Sequence, residues 1–192
     1  MKAPLARLTT LAFALTTVAA AWCGMMIVHE FGHVLAAWLS GGLVSRVVLH
    51  PLAFSRTDLA ENPHPLLVAW GGPAFGSALP VVLWLSARAL RLRLAFLLRF
   101  FAGFCLLANG VYLASAAIMP VGDAEDLIRL SAPHWTIMVP GAVAAVGGLA
   151  MWNRLGADFG LGDRPVDRAA LITSAVSLAT LVIGMLIWSA TT

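Results

Sequence analysis

The chain has 192 residues, of which 60% are hydrophobic and 11% charged, and its mean hydropathy is +0.90. A soluble core of this length cannot hide so much apolar surface, so a soluble globular domain is excluded and the bilayer becomes the solvent for most of the chain. The formal net charge of +3 is small and scattered, which excludes a nucleic-acid footprint and leaves charge as a guide to topology.

The first apolar segment runs from about Leu5 to Leu39, before the breaker Ser40-Gly41-Gly42. Lys2, Arg7 and Ala19-Ala20-Ala21 have the look of a secretory signal with its cleavage site. The apolar run continues past them without a polar break, so the segment is expected to be retained. At 1.5 Å per residue it would be roughly 50 Å long, against about 30 Å for a bilayer core. It is therefore one long tilted helix, or two pieces broken near Cys23-Gly24. Within it lies His29-Glu30-Phe31-Gly32-His33, a complete H-E-x-x-H motif. On a helix, positions i and i+4 share a face, so both imidazoles reach one Zn²⁺ and Glu30 stands where a general base would activate water. Ionisable groups inside a membrane cost on the order of 2.5–3.5 kcal/mol each at its centre, which marks the motif as functional.

Residues Val44 to Thr57 read as a short, irregular β-hairpin or interfacial loop. Asn62-Pro63-His64-Pro65 opens segment two, about Leu66 to Leu90, which Gly71-Gly72-Pro73 and Pro80 are expected to interrupt. Segment three spans about Leu94 to Met119. A polar stretch, Pro120 to Pro133, carries Asp123, Glu125, Asp126 and Arg129. Segments four and five span about Trp135 to Trp152 and Ala169 to Trp188. The predicted fold is an all-α polytopic membrane protein with about five, or six, transmembrane helices and a short β-hairpin-like loop after the first. Residues 1–192 form a single membrane-embedded domain, with its core motifs in 28–123. The seven tryptophans lie mostly near segment ends, as interfacial anchors do. Cys23 and Cys105 fall in apolar stretches and read as small buried hydrophobes.

With five crossings and the N-terminus inside, nine of the 12 Lys and Arg residues lie on the inner side. Only Arg46, Arg56 and Arg129 lie outside, so the positive-inside rule places the motif near the outer face.

A catalytic zinc takes three protein ligands and keeps a fourth position open. The third ligand must come from outside the first segment. The topology brings the residues just after Met119 to the level of His29 and His33, which favours Asp123 and Asp126. Glu125 and Asp126 also read as first-turn acids of a helix starting near Asp123. His134 reads as the start of segment four, and His50 and His64 as surface residues able to shuttle protons.

Val28-His29-Glu30-Phe31-Gly32-His33-Val34 resembles the first signature of the intramembrane zinc metalloproteases, the site-2 protease family. Gly72-Pro73-Ala74 resembles the family's Gly-Pro element, and Met119-Pro120-Val121-Gly122-Asp123 its Pro-x-x-Asp-Gly element. The three occur in family order over about half the chain. The resemblance implies His29, His33 and Asp123 as zinc ligands ahead of Asp126, Glu30 as general base, and Gly72 and Pro73 at the substrate. The chain departs from the family pattern at Ala124, Gly76 and Ser115, where the family has Gly, Asn and Asn. With no inserted peptide-binding domain it would be a minimal member. Family members place this site toward the cytosol, the opposite of the charge count.

Two function classes follow. One is a zinc-dependent intramembrane endopeptidase of the multi-pass kind in the cell membrane, acting in regulated intramembrane proteolysis on transmembrane segments of membrane-protein substrates. The other is a noncatalytic metal-binding membrane protein, a scaffold or transporter.

Overall fold

The computed structural model describes residues 4–162 and 164–191. Among them six α-helices and a β-hairpin follow in the order α1 (Pro4–Leu39), β1 (Leu43–Val48), β2 (Arg56–Glu61), α2 (Pro65–Ala89), α3 (Ala95–Ala114), α4 (Gly122–Arg129), α5 (His134–Trp152) and α6 (Arg168–Thr191). A 3-10 turn, Leu155–Ala157, lies between the last two. Five of these helices, α1, α2, α3, α5 and α6, are long and apolar enough to cross a membrane, while α4 is a short amphipathic helix of 8 residues. The chain has the architecture of a polytopic helical membrane protein.

Helix α1 is a single unbroken element of 36 residues, about 54 Å long at the α-helical rise, which selects five spans over six. Gly24 is not a break: a Cβ there would lie 3.1 Å from the ring of Phe101, so its small size serves packing against α3. Helix α2 also continues through both of its prolines, where an interruption was expected. Each proline removes one internal hydrogen bond, which buried membrane helices tolerate. Gly72, lacking a Cβ, escapes much of the clash that a residue before proline normally suffers. Helix α3 stops at Ala114, short of Met119, and residues 115–118 form turns in which the Met119 amide bonds back to the Ser115 carbonyl.

Helices α1 and α2 touch backbone to backbone where Gly32 faces Gly71. A Cβ on Gly32 would collide with the Gly71 carbonyl and lie 2.8 Å from the Phe75 Cβ. Such close approach lets dispersion stabilise helix pairs where no hydrophobic driving force exists between them. Helix α3 packs along α5 and on α2, and α6 lies on α1.

The strands pair antiparallel with Val47 opposite Thr57. The hairpin runs beyond both ends of the Val44 to Thr57 reading, from Leu43 to Glu61, because residues 49–55, with Pro51, form the connection and the second strand continues to Glu61. This hairpin folds back along α1. Val44 and Leu59 pack on Ala36, Ala37 and Val68, while Leu49 packs with Cys23, Met26 and Met185. At its tip, Trp22 Nε1 donates to the Pro51 carbonyl (3.3 Å) and the Phe54 ring meets Trp22 edge-on at 6.0 Å. Trp22 precedes Leu39 by 17 residues, so the tip reaches back about 25 Å along the helix. Trp188 of α6 donates from Nε1 to the Val47 carbonyl at 2.7 Å, clasping the hairpin from the other side. Cys23 and Cys105 are both buried free thiols.

Candidate metal centre

The helical period brings His29 and His33 onto one face of α1, with ring centroids 4.9 Å apart. His33 is 7% exposed and Glu30 3%. Both imidazoles are held from behind. His33 Nδ1 lies 2.7 Å from the Val68 carbonyl of α2, and His29 Nδ1 lies 2.8 Å from Asn109 Oδ1 of α3. A carbonyl oxygen only accepts, so His33 carries its proton on Nδ1 and turns Nε2 into the centre.

The third group arrives on α4. Ala124 and Leu127 of that helix are fully buried with Leu113 and Ile137, which docks its apolar face on the end of α3 and α5. Gly122 opens α4 at φ +51, a conformation glycine adopts readily, and the Ala124 amide donates to the Tyr112 hydroxyl at 3.2 Å. These contacts aim Asp123 at the imidazoles: Oδ2 lies 2.9 Å from His29 Nε2 and Oδ1 3.2 Å from His33 Nε2. The two Nε2 atoms are 3.2 Å apart. Burial alone would raise the Asp123 carboxyl, but hydrogen bonds and charge from His29 and His33 outweigh it and hold it well below the usual carboxylate range.

His29, His33 and Asp123 can hold a metal ion. Four ligands at about 2.0–2.1 Å in a tetrahedron stand roughly 3.3 Å apart, close to the 2.9–3.2 Å separations among these donor atoms. Without a cation these atoms can lie so close only if protons on Nε2 stand between the imidazoles and the carboxylate, and a divalent ion would take the place of those protons. The donor set therefore fits a divalent metal.

The remaining sequence candidates do not join this cluster. Glu125 and Asp126 pair with Arg129 at 2.7 and 3.5 Å, and Asp126 lines the same cleft as the imidazoles without joining the His29–His33–Asp123 cluster. His64 and His134 are exposed, and His50 Nδ1 accepts the Leu52 amide within its own turn. Gly72 and Pro73 are buried inside α2, and Gly72 forms the floor beneath both imidazoles. A Cβ there would collide with His33 Nε2 and lie 2.7 Å from His29 Nε2.

Glu30 Oε2 accepts a hydrogen bond from Thr57 Oγ1 of β2 at 2.7 Å. A cleft of about 560 Å³ joins these groups, lined among others by His29, Glu30, His33, Thr57, Tyr112 and Asp123. It therefore brings the ligand set, a carboxylate and one strand of the hairpin to the same space. Sequence reasoning did not single out Asn109, Thr57 or Tyr112. Asn109 carried a signal, since a polar amide inside an apolar helix is costly unless it has a partner. No protein-family profile, curated protein or solved structure matches this chain.

Proposed function

We propose that this chain is a zinc-dependent intramembrane endopeptidase of the cell membrane, a minimal member of the site-2 protease family that cleaves transmembrane segments of its substrates. The observation that carries the reading is the convergence of His29, His33 and Asp123 from two separate helices, with the Glu30 carboxylate on the same cleft. Two imidazoles and one carboxylate are the donor set of many zinc hydrolases, and three protein ligands leave a position open. When bound, zinc supplies a Lewis acid that polarises a carbonyl and makes water acidic.

The chain's own residues do the rest. Asn109 and Val68 orient the imidazoles. Glu30 takes a proton from the attacking water and returns it to the departing amine, steadied on one oxygen by Thr57. Burial of Glu30 among apolar helices keeps bulk water out, while the cleft gives water a path in.

A helical substrate shields its own peptide bonds, so it must unwind before cleavage. Among the described residues β2 pairs with β1 alone, and Arg56, Thr57, Asp58 and Leu59 line the cleft. An extended substrate adding to the other edge of β2 would satisfy its backbone groups beside the metal.

The test is cleavage of a synthetic transmembrane peptide by the purified protein, with zinc content measured alongside. Glu30→Gln is expected to keep its zinc and cleave nothing. Cleavage by zinc-loaded Glu30→Gln protein would overturn the mechanism.

A further inference from the structure

Asn109 is 3% exposed in the middle of an apolar helix. Its amide is fixed at both ends. Nδ2 donates to the Cys105 carbonyl at 2.9 Å, and Oδ1 lies 2.8 Å from His29 Nδ1. The Cys105 carbonyl cannot donate, so the NH₂ group must face it, and the amide cannot be flipped. Oδ1 is then the group presented to His29, and His29 must hold its proton on Nδ1. The lone pair on Nε2 is thereby turned toward Asp123 and His33.

The amide occupies space that α2 leaves open. A Cβ on Gly76 would stand 3.1 Å from Asn109 Nδ2 and 3.5 Å from the His29 Cα, so even a methyl group crowds the seat. Held between His29, Cys105 and Gly76, the amide has little room to give way.

We infer that Asn109 is a positioning residue for the metal centre, fixing the tautomer and ring orientation of His29 from α3, and that Gly76 is small in order to seat it. This inference rests on the metal-binding reading above. Through Asn109, α3 sets the affinity of a site whose ligands all lie on α1 and α4. Losing such an outer partner costs about 10- to 100-fold in metal affinity.

The experiment is a chelator-competition titration of purified, detergent-solubilised protein with Zn²⁺, with Co²⁺ absorption as a report on coordination geometry. Asn109→Leu, similar in size but with no acceptor, is expected to bind zinc about 10- to 100-fold more weakly and to alter the Co²⁺ spectrum. Asn109→Asp keeps an acceptor for His29 and is expected to bind closer to wild type than the leucine variant does. Gly76→Ala, whose methyl would meet the His29 backbone only at ordinary contact distance (3.5 Å) but stand 3.1 Å from Asn109 Nδ2, is expected to weaken binding by crowding the amide, and it decides the matter if Asn109→Leu fails to fold. Wild-type affinity in Asn109→Leu or Gly76→Ala, or equal loss in Asn109→Asp and Asn109→Leu, would overturn the inference alone. Wild-type protein that binds no metal would overturn it together with the proposed function.

Discussion

Gly72→Ala sets two effects against each other. Inside a helix, alanine is favoured over glycine by about 0.8–1.0 kcal/mol, so helix propensity alone predicts a more stable protein. The structure predicts the reverse. The added methyl would collide with His33 Nε2 and come within 2.7 Å of His29 Nε2. Neither ring can retreat freely, because Val68 and Asn109 hold their Nδ1 atoms. Overpacking of this kind costs typically about 1–3 kcal/mol, which offsets or exceeds the propensity gain. The metal site suffers more than the fold. Ligand distances must hold within about 0.2 Å, and relieving the collision requires a larger shift of His33. We expect zinc affinity to fall at least about 100-fold, equivalent to about 2.7 kcal/mol, while the metal-free protein unfolds at or below the wild-type temperature. Chelator competition reads the first quantity and thermal unfolding the second. A Gly72→Ala protein with zinc affinity within about threefold of wild type would refute the placement of the imidazoles over α2.

Asp123→Ala is expected to lower zinc occupancy sharply, whereas Asp126→Ala, which removes a surface partner of Arg129, leaves it nearly unchanged; metal analysis of both proteins checks this. Thr57→Val removes the donor to Glu30 while keeping side-chain shape, so cleavage should slow by about 5- to 150-fold for the loss of a hydrogen bond to a charged group worth roughly 1–3 kcal/mol. Thr57→Ser should recover most of that rate, and zinc content should stay constant in both. Acidification should release the metal, since bound ligands must shed protons, and equilibrium dialysis across pH reads the loss. The contribution of Asp123 to metal-free stability has a different range. Its lowered carboxyl stabilises the fold above about pH 3.9, the ordinary carboxylate value, and that stability is lost only as pH falls below it.

Much of the fold and the pairing of His29 with His33 could be read from the sequence because they follow from local periodicity. His29 and His33 share a face by helix geometry alone, and the apolar runs mark the spans by length. Asp123 was reachable through its place after the third span. The supporting groups were not, because their roles exist only across helices. Asn109 acts on α1 from α3, and Thr57 reaches Glu30 only because the hairpin folds back along α1. Nothing local distinguishes a hairpin that returns to its own helix from one that projects away. Gly72 invited a reading at the substrate by its neighbour Pro73. Its position under the two rings depends on the Gly32–Gly71 crossing, which no single segment reveals.

The metal content of the wild-type protein tests the central claim most directly. Purified without chelator, the protein should carry about one zinc per chain, as expected for a site with three protein ligands. Metal-free protein that fails to take up zinc, or zinc that remains after His29, His33 and Asp123 are all replaced by alanine, would contradict it.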